Sequence, residues 1–177
     1  MKYDVYGLGN ALVDQEFEVS DQFLVDSGIE KGFMTLIDEA RQHELQDKLL
    51  TIFGLKKRTG GGSGANSIVA ISQFGGKAFY ACKVAKDESG EFYAADLAKA
   101  GVTTRVRELG AQGVTGKCMV MVTEDAERTM NTFLGITSNL SEQDLFLEEL
   151  KAAQYLYIEG YLVTSDVSRH AVMKARE

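Results

Sequence analysis

Between positions 59 and 68 the chain reads Thr59-Gly60-Gly61-Gly62-Ser63-Gly64-Ala65-Asn66-Ser67-Ile68, a stretch of small residues that opens into an apolar helical pattern. Glycine lacks Cβ, so the backbone can take positive φ there and a polar ligand can approach the main chain closely. Asn66, in or near the first turn of the helix that follows, carries an amide that both donates and accepts. The same run could also be a plain turn. Upstream, Asn10 and Asp14 stand just past a short apolar run, where ligands of open α/β sheets collect. A carboxylate that only accepts is suited to gripping two hydroxyls, although an Asp there could equally serve a turn or a strand surface.

Two better-known glycine chemistries are excluded. Gly7-Leu8-Gly9-Asn10-Ala11-Leu12 has leucine in place of the third glycine of a dinucleotide fingerprint, and a strand-like pattern follows where that fingerprint requires a helix. No Lys-Ser or Lys-Thr follows Gly64, so the loop is not a Walker P-loop.

The elements that must position these residues can be read from periodicity. Residues 3–9 form a short apolar run ended by glycine, and residues 12–19 alternate apolar and polar types, so strand follows strand. Residues 33–37 are another short apolar run. Residues 39–53 carry Leu45, Leu49, Leu50 and Phe53 at helical spacing behind a candidate N-cap, Asp38. A strand over 55–59 leads into the glycine loop. Helix over 65–74, strand over 78–85, helix over 89–100 and strand over 102–107 complete a βαβαβ alternation, which implies a parallel sheet with right-handed crossovers. Strands over 117–123 and 128–133, joined by Glu124-Asp125-Ala126-Glu127, interrupt that rhythm as a hairpin. A helix over 141–150, with Ser141 and Asp144 as a short-acid capping box, a strand over 155–159 and a helix over 167–177 follow. The early strands and the hairpin are expected to pair into one small sheet standing off the main one.

The chain has 177 residues, 45% of them hydrophobic, enough for a substantial core. No stretch approaches the roughly 18 apolar residues of a membrane span, and no signal-peptide organisation is seen, which suggests a cytoplasmic protein with no membrane partner. The net charge of −7 disfavours nonspecific nucleic-acid binding, and Lys56-Lys57-Arg58 reads as a solvated face. Cys82 and Cys118 are isolated in apolar stretches, which suits buried, reduced thiols better than a disulfide or zinc site. The final helix reaches Glu177 without a capping signal, so the chain is expected to continue into a larger protein.

Five segments, in order, resemble the ribokinase-like (PfkB) carbohydrate and nucleoside kinases: Gly9-Asn10-Ala11-Leu12-Val13-Asp14, Gly61-Gly62-Ser63-Gly64-Ala65-Asn66, Asp87-Glu88-Ser89-Gly90, Thr115-Gly116 and Glu127-Arg128-Thr129. The opening Tyr6-Gly7-Leu8-Gly9-Asn10, the helix with His43-Glu44-Leu45, and Gly160-Tyr161 look most like the adenosine kinase branch. The resemblance implies a three-layer α/β fold with a mainly parallel sheet and a small β-sheet lid built from segments near 12–37, 55–59 and 114–133. It implies that Asp14 and Asn66 bind substrate hydroxyls with Asn10 also in the substrate site, that Gly61 and Gly62 form a hinge, and that Thr35, Ile37, Cys118, Val120 and Tyr161 line the pocket. Tyr161 would stack on a base, or else belong to the core. The reaction implied is ATP- and magnesium-dependent phosphoryl transfer to a nucleoside, adenosine by branch, or to a sugar, by a monomer or a lid-mediated homodimer.

The family's Asp-Thr-x-Gly-Ala-Gly-Asp signature, which supplies the base and an anion hole, occurs nowhere in the 177 residues. No catalytic residue is therefore expected in this chain. Nucleotide and Mg2+ would be bound mainly by sequence beyond it, and a non-catalytic substrate-binding fragment is the alternative. Asn139-Leu140-Ser141-Glu142 matches the family's phosphate motif only superficially and reads as a helix start.

Overall fold

The computed structural model describes residues 2–177. Tyr3–Leu8 (β1) is buried at every position except Asp4, the pattern of a central parallel strand covered on both faces. Leu12–Glu18 (β2), Asp21–Asp26 (α1), Met34–Leu36 (β3), Glu39–Ile52 (α2), Lys57–Gly61 (β4) and Ser63–Gln73 (α3) follow. Then come Ala78–Ala81 (β5), Glu88–Lys99 (α4), Val106–Leu109 (α5), Thr115–Val122 (β6) and Arg128–Gly135 (β7), and finally Leu147–Lys151 (α6), Ala153–Ile158 (β8) and Asp166–Arg176 (α7).

Three strands form a parallel sheet of order β5-β1-β8. One face packs Val5 and Tyr80 against Ile68 of α3 and Tyr93 and Leu97 of α4. The other packs Tyr6, Leu8 and Phe79 against Leu140, Leu162 and Ala171, with the Tyr6 and Phe79 rings stacked at 5.2 Å between centroids.

The remaining five strands form a second, mixed sheet of order β3-β7-β6-β2-β4, which joins β2 to the hairpin as expected but leaves the other early strand, β1, in the parallel sheet, where both of its edges are paired. Alternation in β2 and β6 sends Phe17, Met119 and Met121 to one face, where Phe23 and Leu24 of α1 and Leu45 and Leu49 of α2 cover them. The caps are local: Ser20 accepts from Phe23 N, and Asp38 accepts from Arg41 N. Among the described residues no helix covers the opposite face of the sheet, which holds the candidate site.

Three elements differ from the sequence reading. Residues 102–107 make only a bridge, Phe79 to Thr103. The chain then turns into α5, where Arg105 pairs with Glu108 three residues on and lies over the Phe146 ring. The helix expected over 141–150 is a 3-10 turn, Glu142–Asp144, followed by the short α6. Asp144 accepts from Ser141 N and Ser141 Oγ and is paired with Lys83 at 2.9 Å, while Phe146 N donates to the Tyr6 hydroxyl. These tertiary bonds stop the turn from propagating. The six-residue α1 was not anticipated, being less than two turns long.

Candidate functional site

Register sets two lateral rows on the open face of the mixed sheet. Leu36, Thr132, Cys118, Asp14 and Thr59 are successive cross-strand partners from β3 to β4, and Met34, Met130, Val120, Glu16 and Lys57 form the next row. Paired residues share a face, so the surface is apolar toward β3 and β7 and polar toward β2 and β4. A hollow of about 360 Å³ over the polar half is lined by Asp14, Glu16, Lys57, Thr59, Val120 and Arg128.

Asp14 dominates its chemistry. Burial pushes its carboxyl up to about 6 from an ordinary 3.8, while the Arg128 guanidinium holds it down in part. Among the described residues no hydrogen-bond donor contributes to that balance, so the carboxylate is desolvated without a partner. Its position depends on Gly61 across the β2–β4 pairing: a Cβ there would lie 2.2 to 2.5 Å from all three carboxyl atoms of Asp14. Gly62 takes φ +101, and a Cβ on it would lie 2.7 Å from the Asn10 carbonyl oxygen.

The edge strand β4 is tied to α4. The Asp96 carboxylate accepts from Gly60 N at 2.7 Å, the Tyr93 hydroxyl donates to Gly61 O at 3.1 Å, and Arg58 forks onto Glu88 while covering the Phe92 ring at 4.1 Å. Arg58 is thus half of an ion pair and not a free solvated charge.

Asn10 turns inward. Its amide donates to Glu159 Oε2 at 2.6 Å, its carbonyl accepts from the Tyr80 hydroxyl at 2.9 Å, and its Oδ1 accepts from Thr137 Oγ1 at 3.4 Å. Asn66 is exposed on α3, and its backbone N–H donates to Gly62 O as the first helical bond. Cys118 is buried, with its thiol pushed up to about 11 by burial and accepting from Thr132 Oγ1 at 3.3 Å; Cys82 is also buried and free. Tyr161 lies on the 3-10 turn Gly160–Thr164 and is 60% exposed, so it is not a core residue. Ser141 and Glu142 belong to the capped turn described above.

The structure brings Asp14, Gly61, Cys118 and Val120 to one face, with Gly62 against Asn10. It does not bring Thr35 and Ile37 there: Thr35 pairs with Asn131, and Ile37 packs beside α2. Met34 and Leu36 take the open face instead. A slip of one residue exchanges the faces of a strand, and three residues are too few for sequence alternation to fix which set faces out. Sequence reasoning also missed Glu159, which is 3% exposed and receives Asn10 N, Gly64 N and the Ser63 hydroxyl. Its only signal was an acid closing an otherwise apolar strand.

Among the described residues no group of three His, Cys, Asp or Glu side chains could hold a metal ion, and no helix is long and apolar enough to cross a membrane. The start of α3, which glycine loops elsewhere offer to phosphates, is filled by the Glu159 carboxylate.

A family model described as pfkB family carbohydrate kinase matches residues 34–177. The fold is similar to the adenosine kinase of Sinorhizobium meliloti, with a TM-score of 0.87 and 35% identity, covering 99% of this chain and 52% of that one. It is equally similar to a probable sugar kinase of Rhizobium etli, with a TM-score of 0.87 and 34% identity over 98% of this chain and 52% of that chain. A probable fructokinase-3 of Arabidopsis thaliana is 28% identical over 119 residues, which is 66% of this chain and 34% of that protein. The chain therefore spans about half the length of the solved structures it matches and about a third of that curated relative.

Proposed function

Because this chain belongs to the pfkB family of carbohydrate kinases, we propose that it supplies the substrate-binding half and lid of a kinase that phosphorylates a hydroxyl of a nucleoside or sugar. The observation that carries the proposal is Asp14: a half-buried carboxylate with no protein donor, held over bare Gly61 backbone on an open face. Two substrate hydroxyls would supply the missing donors, each charge-assisted bond being worth about 1.5–3 kcal/mol.

ATP, Mg2+, the catalytic base and the anion hole are proposed to act from sequence outside this chain, and the chain's own part is to bind, orient and exclude water. In this reading Asp14 and Asn66 hold hydroxyls, Cys118 and Val120 form the floor, and Tyr161 stacks from the body side. Closure of the mixed sheet aligns the attacking hydroxyl and shields the transfer, with Gly61 and Gly62 as the hinge. The ties from α4 to Arg58, Gly60 and Gly61 support putting most of the dihedral change at Gly62, the first residue past the clamped strand.

A nucleoside, adenosine by resemblance, is favoured over a free sugar by the apolar half of the face. Met34, Leu36, Met130 and Val120 lie beside the polar half, as an apolar ring joined to a ribose would require. The test is phosphoryl transfer from ATP with magnesium by the whole protein to adenosine, ribose and fructose, for wild type and Asp14→Ala. Adenosine turnover that Asp14→Ala removes is expected; turnover of fructose or ribose alone favours the sugar reading, and no turnover with any acceptor refutes the kinase assignment.

A further inference from the structure

Two segments distant in sequence converge on the Glu159 carboxylate just past β8 and give it three donors. Oε2 accepts from the Asn10 amide at 2.6 Å, and Oε1 accepts from the Gly64 amide at 3.0 Å and from the Ser63 hydroxyl. Asn10 begins the link that leads to Asp14, while Ser63 and Gly64 open α3 directly after Gly61 and Gly62. That helix has no cap of its own: its N-cap is Gly62, with no side-chain cap bond. A carboxylate from another strand takes the role, which the helix dipole favours.

The approach is built in on both sides. A Cβ on Gly9 would lie 3.0 Å from Glu159 Cβ and Oε2, and one on Gly64 would lie 3.2 Å from Glu159 Cβ. A buried charge persists only when paired or fully hydrogen-bonded, and here three donors and a helix terminus satisfy it. We propose, on the reading that the open face binds a hydroxyl-bearing substrate, that Glu159 is a positioning residue: it sets the spacing between the Asn10–Asp14 link and the glycine loop without touching substrate. One carboxylate bonded to both sides fixes their relative position more tightly than packing of two glycine-rich loops can. The β2–β4 pairing keeps Asp14 beside Gly61, so loss of the carboxylate loosens the Asn10 link and the start of α3, which carries Asn66, against that strand pair while leaving the hydrophobic cores intact.

The test uses the whole protein and Glu159→Gln, which keeps the shape but loses the charge and turns an NH2 toward one of the donors. Amide hydrogen exchange is read first. Protection of Asn10 and Gly64 should fall about tenfold or more, the size of one lost charge-assisted bond, while β6 and β7 keep wild-type rates. Unchanged protection at both amides, or a uniform loss across the chain, overturns the proposal. Calorimetric titration with adenosine and ribose is read second, and affinity for the compound that wild type binds should weaken about tenfold or more. Wild-type affinity in Glu159→Gln overturns the proposal. A wild-type protein that binds neither compound refutes the hydroxyl-site reading instead, and exchange alone then decides the role of Glu159. If Glu159→Gln does not fold, Ser63→Ala removes one donor and leaves the core untouched; faster exchange at Gly64 with weaker binding is expected, and wild-type behaviour in both overturns the proposal.

Discussion

Replacing Gly61 by Ala tests the site without touching the residue proposed to act. The new Cβ would start 2.2 Å from Asp14 Oδ1 and 2.5 Å from Oδ2, against a comfortable separation of about 3.5 Å, so the carboxylate has to move by about 1 Å. The obstacle is the free end of a side chain and not backbone, so the fold can yield there at small cost. A substrate hydrogen bond of about 2.7 Å stretched by that amount reaches about 3.7 Å and ceases to be one. Losing one charge-assisted bond costs about 1.5–3 kcal/mol, or roughly ten- to hundredfold in kcat/KM at about 1.4 kcal/mol per decade. The assay is steady-state kinetics of the whole protein with its best acceptor, alongside a thermal melt. A tenfold or greater loss with a melting shift of no more than a few degrees is expected. Wild-type kinetics in folded Gly61→Ala would refute the reasoning, because Asp14 would then be displaced without consequence.

The free carboxylate should also be visible in stability. Because folding raises the Asp14 pKa from 3.8 to about 6, the folded state binds the proton more tightly, so its contribution favours folding at low pH and is lost as pH rises from about 4 through 6. Asp14→Asn should flatten that slope and melt higher than wild type at pH 7 while losing activity, and identical pH profiles would contradict the burial argument. Gly62→Val should destabilise the fold by about 1–3 kcal/mol from its positive φ alone, with more from the contact with the Asn10 carbonyl, as read by denaturant titration; normal stability would mean that the loop adopts another conformation in solution. Thr137→Val removes the buried hydroxyl that accepts from Ala11 N at 2.9 Å and should cost about 1–3 kcal/mol, measured the same way.

Most strands and helices were legible because each carries its own signal: alternation in β2, leucines at helical spacing in α2, Asp38 and Ser141 as caps. What could not be read depends on distant partners. Residues 102–107 look like a strand, but only Thr103 finds a neighbour. Residues 141–150 look like one helix until Lys83 and Tyr6 pin its turns. In the site, Asp14 and the glycines stood out because their residue types are unusual after a strand and before a helix. The face of β3 did not, since its register comes entirely from β7. Glu159 was overlooked because its three donors lie some 95 to 149 residues away in sequence, a separation that no local pattern reports.

The account rests on Asp14 holding substrate hydroxyls over Gly61, and a crystal structure of the whole protein with adenosine tests that directly. Two ribose oxygens within about 3 Å of the Asp14 carboxylate, with the base over Met34, Val120 and Met130, is the predicted result. A nucleoside seated elsewhere, with Asp14 still without a donor, would contradict it.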